Sequence, residues 1–465
     1  MFQIDFNKPQ HIYFMGIGGI SMSGLAEILM DEGFVISGSD SKESELTAHL
    51  RKRGAFIHIG QKAENIKEAE RMRGRIDAVV YTAAIHPDNQ EFLAAQEAKL
   101  PMLSRAELLG EMMRNYKESI AVAGTHGKTT TTSMLSEIFM AAKADPTISV
   151  GGILPSIGGN IRVGGPEFFI TEACEYTNSF LEFFPTIEVI LNIEEDHLDF
   201  FKDLEDIRRS FSLFAEKVPK EGAVIINGDI DHWQEIVGNV KGKVITFGKD
   251  KGFNYSTGPI TYDELARPAF DLYINGERKD RLSLGVGGEH NVYNALGAAA
   301  AALEAGLSIE AVKRGLLSFT GTKRRFEKKG MWNGVTIIDD YAHHPQEIQA
   351  TLKTAKNYPH SRIWCVFQPH TYTRTKAFLD EFAEALSLAD GVVLADIYAA
   401  RETDTLGISS RDIAERIEKF GKKVWYFPSF EEIEEFLKKN CIHGDLLITM
   451  GAGDIVNVGE ALLSE

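Results

Sequence analysis

A short glycine-rich turn that carries a lysine and threonines is the segment of this chain best suited to chemistry. Its residues are Gly124, Thr125, His126, Gly127, Lys128, Thr129 and Thr130. The patterns around it predict a strand ending at Ala123 and a helix running towards Ala142. In such a loop, backbone amides bind phosphate oxygens, the lysine reaches the β- and γ-phosphates, and the first threonine binds Mg²⁺. The turn therefore predicts a nucleotide-phosphate site, although it is two residues shorter than the common Gly-x₄-Gly-Lys-Thr form.

Acidic residues follow two apolar runs in the same region. Glu172 ends the run 168–172, and the ends of parallel strands line the crevice where ligands bind, so we predict that Glu172 is a magnesium ligand. Glu175 is either a further ligand or a solvated surface acid. The next run leads into Glu194, Glu195, Asp196 and His197. That cluster suits a second divalent ion or an anionic intermediate, or else it is a polar loop that caps the helix predicted at 204–217.

A second glycine-rich turn lies near the N-terminus, after a strand predicted at 11–15. Its characteristic residues are Gly16, Gly18, Gly19 and Ser21. Such turns let backbone amides approach a diphosphate, and Asp40 stands where an acid that binds a ribose is expected. Because Ser21 replaces the last glycine of the dinucleotide fingerprint, the turn predicts either a diphosphate-bearing nucleotide, not necessarily NAD, or a tight strand–helix turn without a ligand.

The elements that must position these residues follow one pattern. Short apolar, β-rich runs alternate with helical patterns along almost the whole chain, which is typical of βα units and parallel sheets. We predict three α/β domains at 1–106, 107–322 and 323–465, the first and third Rossmann-like and the central one a P-loop ATPase-like parallel sheet. Asn275-Gly276 between two apolar runs adds a small antiparallel patch to the central domain.

Composition excludes several classes of protein. The chain has 465 residues, of which 44% are apolar and 25% charged, as in soluble globular proteins. Its longest apolar run, 295–303, is too short to span a bilayer. A formal charge of −17 argues against non-specific nucleic-acid binding. Three cysteines and an N-terminal segment without an apolar stretch predict a cytoplasmic protein. We therefore expect no nucleic-acid and no membrane partner, while the sequence leaves a monomer and a homodimer both open.

Together these segments resemble the ATP-dependent Mur ligases, and the resemblance covers essentially the whole chain. Residues 124–130 are similar to the family's shortened phosphate loop, and 192–197 to its acidic and histidine segment. Residues 16–23 resemble its nucleotide-binding turn, which usually carries glycine where Ser21 stands. The other similar segments are 288–299, 324–327, 339–345, 368–374 and 450–454.

The resemblance implies a first domain that holds a UDP-sugar, a second that holds ATP and Mg²⁺, and a third that holds an amino acid. It is strongest to the branch that joins L-alanine to the lactyl carboxylate of UDP-N-acetylmuramate through an acyl phosphate. The implied UDP-sugar contacts are Gly16, Gly18, Gly19, Ser21 and Asp40. The implied ATP contacts are the phosphate loop with His290, Asn291, Asn294, Arg325 and Asp340. The implied metal ligands are Thr129, Glu172 and His197.

The implied reaction also assigns catalytic roles. Lys128 neutralises charge during phosphoryl transfer. The residues implied to hold the amino acid are His370, Tyr372 and Arg374. The guanidinium of Arg374 could bind a carboxylate with two hydrogen bonds. The alternative is that Arg374 is an ordinary surface residue at the start of a helix. The attacking amine must lose a proton, and His197, His343 and His344 all remain candidates to accept it.

Three other functions stay open at this point. The first glycine turn fits an NAD(P)-dependent dehydrogenase, but that function leaves the phosphate loop unexplained. A non-catalytic regulator that uses ATP as a switch is the second. The third is a sister ligase that attaches a ready-made tripeptide or another amino acid.

Overall fold

The computed structural model describes residues 2–400 and 402–464, whose strands form sheets of five, ten and six strands. The predicted fold class of three α/β domains is confirmed, while the boundaries proposed at 106/107 and 322/323 stay predictions. The described residues group into two compact units. One unit holds the residues up to 193 together with 208–246 and 297–315, and the other holds 194–207, 247–296 and the residues from 316 onwards.

The first sheet is parallel, with the order β3-β2-β1-β4-β5. Its strands are β1 His11–Met15, β2 Val35–Asp40, β3 Phe56–Ile59, β4 Ala78–Tyr81 and β5 Met102–Ser104. The helices that follow them are α1 Ile20–Asp31, α2 Glu45–Lys52, α3 Glu64–Arg73, α4 Gln90–Glu97 and α5 Arg105–Met113. The central strand β1 is buried along its whole length, which explains its continuous apolar run.

The second sheet has the order β15-β14-β13-β12-β11-β10-β6-β9-β7-β8. Its strands are β6 Glu118–Ala123, β7 Thr147–Leu154, β8 Gly159–Arg162, β9 Phe168–Ala173, β10 Ile187–Ile190, β11 Ala223–Asn227, β12 Lys243–Gly248, β13 Tyr255–Tyr262, β14 Pro268–Ile274 and β15 Glu277–Ser283. Its helices are α6 Lys128–Ala141, α7 Leu204–Ala215, α8 Trp233–Ile236, α9 His290–Glu304 and α10 Ile309–Ser318. The predicted hairpin is confirmed, because β14 and β15 pair antiparallel through Asn275 and Gly276, both at positive φ.

The third sheet has the order β16-β17-β21-β18-β19-β20, and only its edge strand β16 is antiparallel to its neighbour. Its strands are β16 Glu327–Trp332, β17 Val335–Asp340, β18 Ile363–Phe367, β19 Gly391–Leu394, β20 Lys423–Tyr426 and β21 Leu446–Met450. Its helices are α11 Pro345–Asn357, α12 Tyr372–Ala377, α13 Leu379–Leu386, α14 Ser410–Lys419, α15 Phe430–Asn440 and α16 Val456–Leu463. None of the helices described in the chain is long and apolar enough to cross a membrane.

A buried acid in the central strand β10 yields a prediction about stability. Glu188 is fully buried beside Ala121 and Val224, and neither carboxylate oxygen has a hydrogen-bond partner. Burial raises the pKa of Glu188 well above its ordinary value. The folded state therefore favours the neutral acid, so stability from this group is greatest below its ordinary pKa and is lost as the pH rises through the raised pKa.

We expect Glu188→Leu to increase the free energy of unfolding at pH 8 by about 1–3 kcal/mol, because a buried polar group without a partner is removed. Urea unfolding at pH 5 and pH 8 measures this, and the gain should shrink at the lower pH. A variant that is less stable than the wild type at pH 8 would show that the carboxylate contributes to the fold. Replacement of the exposed Glu381 by leucine is the control.

Candidate active site

The phosphate loop has the conformation that its glycines permit. Gly124 and Gly127 have φ angles of +146° and +83°, and a Cβ at Gly124 would lie 3.0 Å from the Cβ of Leu191. Asn192 clamps the loop, since its Oδ1 accepts from the His126 amide at 2.7 Å and its Nδ2 donates to the His126 carbonyl at 3.0 Å. The loop is thereby held at the start of α6, where the first amides of a helix have no partner within the helix.

Lys128 lies within this loop and bonds to a buried acid. Its Nζ is 2.9 Å from Glu175 Oε2 and donates to the Gly124 carbonyl at 2.6 Å. Burial on its own would lower the pKa of Lys128, but Glu175, with smaller contributions from Cys174 and Glu172, raises that pKa overall. Glu175 is only 2% exposed, so the alternative that it is a solvated surface acid is wrong.

Glu172 faces the next residue of the loop. It is the last residue but one of β9, which pairs parallel with β6, and its Oε2 accepts from the Thr129 hydroxyl at 3.1 Å. Its Oε1 accepts from the Gly151 amide at 2.5 Å. The oxygens of Glu172 and Thr129 are of the hard type that Mg²⁺ prefers. Among residues 2–400 and 402–464, no three His, Cys, Asp or Glu side chains form a ready metal site.

The amides of the N-terminal glycine turn are already engaged by its own chain. The Ser39 carbonyl accepts from the amides of Gly16 and Ile17 at 2.9 and 3.0 Å. Asp40 Oδ2 accepts from the Gly18 amide at 2.8 Å. The carboxylate that was predicted to bind a ribose therefore also stabilises the conformation of the turn. Gly18 permits this close approach, because a Cβ there would lie 2.9 Å from the Asp40 carboxylate.

A buried polar network lies behind this turn. Glu91 is fully buried and accepts hydrogen bonds from Tyr13, Ser39 and Asn65 at 2.6, 2.5 and 2.8 Å. It thereby joins β1, β2, α3 and α4. The periodicity of the sequence does not predict these hydrogen bonds, because in the sequence Glu91 has the position of an ordinary acidic residue in the first turn of a helix.

Arg105 is a residue near the turn that the sequence analysis missed. It begins α5, and its Nη1 donates to the hydroxyl of Ser21 at 3.1 Å. The sequence does carry one signal for its position. Ser104 and Glu107 form a capping box, which marks the start of a helix and so places Arg105 in its first turn.

In the other unit, a buried ion pair links the acidic segment to α12. Arg374 Nη2 lies 2.9 Å from Asp196 Oδ1, and both side chains are at most 10% exposed. Burial alone would raise the pKa of Asp196, but Arg374, followed by His197, lowers that pKa well below its ordinary value. Arg374 also lies 3.3 Å from His370 Nδ1, so it is not an ordinary surface residue. The His197 amide donates to Asp196 Oδ1 at 2.8 Å.

The two adjacent histidines differ in their surroundings. His343 Nδ1 lies 2.9 Å from the Tyr341 carbonyl, which can only accept, so the proton is assigned to Nδ1 and Nε2 is left as an acceptor. Burial lowers the pKa of His343, which keeps its ring neutral. His344 instead caps α11, since its Nδ1 accepts from the Gln346 amide at 3.4 Å. In this pair the Nε2 of His343 is therefore an unprotonated nitrogen, whereas the Nδ1 of His344 is used in the helix cap.

The third domain also holds His370 and Tyr372 at the start of α12. The ring of His370 stacks on Tyr398 with centroids 5.7 Å apart. The amide of Tyr372 donates to Glu402 Oε2 at 2.7 Å, which fastens the first turn of α12.

The implied ATP contacts outside the phosphate loop make bonds within their own unit. Asn294 Nδ2 donates to Asn291 Oδ1 at 3.0 Å, one turn into α9, which begins at His290. The Asp340 carboxylate accepts from two backbone amides at 2.8 and 2.9 Å, and burial raises its pKa to about 6. The Arg325 guanidinium lies 5.4 Å from the centre of the Tyr341 ring. Their predicted contacts with ATP stay predictions.

Comparison with known proteins matches three successive family models to these sheets. They are the Mur ligase family catalytic domain at residues 11–117, the Mur ligase middle domain at 122–302 and the Mur ligase glutamate ligase domain at 324–453. The chain belongs to the Mur ligase family.

Relatives of this Mur ligase are similar over their full length. A UDP-N-acetylmuramate–L-alanine ligase of Lachnospira eligens is 62% identical over 464 residues, covering 100% of both chains. A ligase of the same name from Agathobacter rectalis is 60% identical over 465 residues, again covering 100% of both. The crystal structure of a UDP-N-acetylmuramate–alanine ligase from Thermotoga maritima is 31% identical, covers 98% of both chains and superposes with a TM-score of 0.78.

Proposed function

We propose that this Mur ligase joins L-alanine to the lactyl carboxylate of UDP-N-acetylmuramate at the expense of ATP, a step in peptidoglycan precursor synthesis. One observation carries the proposal: a phosphate loop with a buried Lys128–Glu175 pair lies in a chain that is 62% identical, from end to end, to a ligase with that name. A dehydrogenase would leave this loop without a role.

The reaction has two steps. An oxygen of the lactyl carboxylate attacks the γ-phosphorus of ATP, the bond to the β-phosphate oxygen breaks, and ADP leaves from an acyl phosphate. The amine of L-alanine then attacks the acyl carbon, the carbon–oxygen bond to phosphate breaks, and an amide and inorganic phosphate form. The first step joins two anions, so it depends on positioning and neutralisation of charge, which Lys128 and the loop amides supply.

We infer that Thr129 and Glu172 hold Mg²⁺, because their oxygens lie 3.1 Å apart at the end of β9. When bound, the ion neutralises charge on the phosphates. His197 stays a proposed ligand of a second ion.

In the second step, the amine must be neutral before it attacks. We assign its proton to His343 Nε2, because the Tyr341 carbonyl holds the proton of Nδ1. His197 remains the other candidate. We further propose that Arg374, together with His370 and Tyr372, binds the carboxylate of L-alanine through its planar guanidinium. A pH–rate profile with the same shape in wild type and His343→Ala would remove His343 from this role.

Phosphate release from ATP tests the proposed function. The purified protein is given ATP, Mg²⁺ and UDP-N-acetylmuramate together with L-alanine, L-serine, glycine, D-glutamate or the tripeptide used by the sister ligases. We expect fastest release with L-alanine, with a new amide in equal amount. Release that does not depend on the sugar nucleotide, or that is fastest with the tripeptide, would contradict the proposal.

We also place the reaction in the cytoplasm, because all three cysteines are free thiols, as is usual in a reducing compartment. The assembly is proposed to be a monomer or a homodimer, which sedimentation analysis distinguishes.

A further inference from the structure

Glu402, which bonds to the first turn of α12, has no role in the chemistry proposed above. Its Oε2 accepts from the amides of Tyr372 and Thr373 at 2.7 and 3.0 Å, and its Oε1 accepts from the Thr373 hydroxyl. The first amides of a helix have no acceptor within the helix. A carboxylate that accepts from two of them therefore fixes the position of the helix start, and this one comes from a residue 30 positions further along the chain.

The helix that Glu402 holds carries the proposed ligands of the amino acid. α12 has six residues and begins at Tyr372, so Arg374 lies in its first turn and His370 lies just before it. The Arg374 guanidinium is 3.3 Å from His370 Nδ1 and 2.9 Å from Asp196 Oδ1. A shift of this first turn would therefore move the guanidinium away from the position that these contacts define.

The residue that precedes α12 has a strained backbone. Thr371 has a φ of +67° and a ψ of +146°, which a β-branched residue adopts only where its surroundings hold it. Its amide donates to the Tyr398 carbonyl at 2.9 Å, and its hydroxyl accepts from the Arg374 amide at 3.5 Å. The segment that follows β19 supplies both Tyr398 and Glu402, so this segment holds Thr371 and the two residues after it.

The segment after β19 is itself fixed by neighbouring loops. The Tyr398 amide donates to the Pro369 carbonyl at 2.8 Å, and the Glu402 amide donates to the Ala399 carbonyl at 2.9 Å. Gly453, in the loop after β21, packs so closely that a Cβ there would lie 2.8 Å from the Tyr398 ring. Glu402 is therefore in place before an amino acid binds.

We propose that Glu402 is a positioning residue for L-alanine, because it fixes the first turn of α12 and with it the direction of the Arg374 guanidinium. The inference rests on the proposed function, in which Arg374 binds the carboxylate of L-alanine. A planar guanidinium makes two hydrogen bonds to a carboxylate only in a suitable orientation. A displaced first turn should therefore weaken the binding of L-alanine and leave the binding of ATP and of the sugar nucleotide unchanged.

Steady-state kinetics with each of the three substrates varied in turn tests this. We expect Glu402→Ala to raise the KM for L-alanine by about 10- to 100-fold, because Arg374 is no longer held in the orientation that binds a carboxylate. The KM values for ATP and UDP-N-acetylmuramate should not change. At saturating L-alanine, kcat should fall much less than kcat/KM, whereas a smaller fraction of folded enzyme would lower kcat and leave every KM unchanged.

The isosteric variant Glu402→Gln should recover most of this loss. Its amide oxygen can accept from the Tyr372 and Thr373 amides, while its NH₂ group donates to the Thr373 hydroxyl oxygen. We expect its KM for L-alanine to rise by only about 2- to 5-fold. Asp404→Asn is the matched control, because Asp404 lies in the same segment and accepts from two amides at 3.0 Å, but these amides belong to Leu406 and Gly407 rather than to α12.

An unchanged KM for L-alanine in Glu402→Ala overturns the inference. An equal rise in the KM of all three substrates, or a fall in kcat alone, also overturns it, because Glu402 would then support the fold in general. A Glu402→Gln variant as impaired as Glu402→Ala would show that the negative charge acts directly on the ammonium group of L-alanine. If the wild type releases phosphate fastest with another amino acid, the proposed function fails, and the same comparison with that amino acid still decides the role of Glu402.

Discussion

Replacing Lys128 abolishes ATP-dependent phosphate release, with an expected loss of at least about 10²- to 10³-fold in kcat. The ammonium group is held in the phosphate loop by the Gly124 carbonyl and by Glu175, so a positive charge is in place before ATP binds. Preorganised charge of this kind requires no rearrangement when negative charge develops in the transition state. Single-turnover measurement of phosphate release from Lys128→Met gives the loss directly.

The control must separate chemistry from folding. Lys128→Met alone leaves Glu175 buried without its cation, which destabilises the protein. The double variant Lys128→Met/Glu175→Gln removes both charges, so we expect near-normal thermal unfolding and normal binding of UDP-N-acetylmuramate, but no turnover. Lys220→Ala, at an exposed position, should behave as wild type. A double variant that retains a tenth of the wild-type rate would contradict the assignment.

Removing Arg374 has the second large effect, on both stability and activity. In Arg374→Ala, the buried Asp196 loses the cation that lies 2.9 Å away, and we expect a loss of about 3–5 kcal/mol in the free energy of unfolding. The pKa of Asp196 is lowered in the folded wild type. Its contribution to stability is therefore present above its ordinary pKa and is lost as the pH falls through the lowered folded value.

Urea unfolding between pH 2 and pH 8 measures this effect. The wild type should lose stability relative to Arg374→Ala as the pH falls, so the difference between them shrinks in acid. Arg374→Met/Asp196→Asn should recover much of the stability at pH 7, because no charge is then left buried alone. Because we propose that the Arg374 guanidinium also binds L-alanine, we expect Arg374→Met/Asp196→Asn to be folded but inactive. A double variant as unstable as Arg374→Ala would show that packing, not charge, explains the loss.

Motifs and periodicity predicted most of the strands and the phosphate loop. The strand at 120–123, the helix after Lys128 and the hairpin at Asn275-Gly276 each follow from local patterns. The first sheet shows what such patterns leave out, since β3 and β5 are short and half-exposed and have no strong alternation. Their place in the sheet depends on pairing with strands distant in sequence.

Among the site residues, those at the carboxyl ends of predicted strands were the easier to predict. Glu172 could be placed near Thr129 because β9, which carries Glu172, and β6, which leads to Thr129, are neighbouring parallel strands whose carboxyl ends lie at the same edge of the sheet. Glu175 was left open between two roles, and only the fold shows it buried against Lys128. His343 and His344 are identical in type, and their difference depends on which backbone group each ring meets.

By itself the sequence determined the class of this protein: three α/β domains, a shortened phosphate loop and the residue types of a Mur ligase, because these depend on local spacing and on the ends of strands. Only the tertiary structure decided which side chains the charged residues bond to. Arg374 lies 178 positions from Asp196, and Arg105 lies 84 positions from Ser21. Partners so far apart in the chain leave no periodic signal, and they meet because the packing of separate elements brings them together.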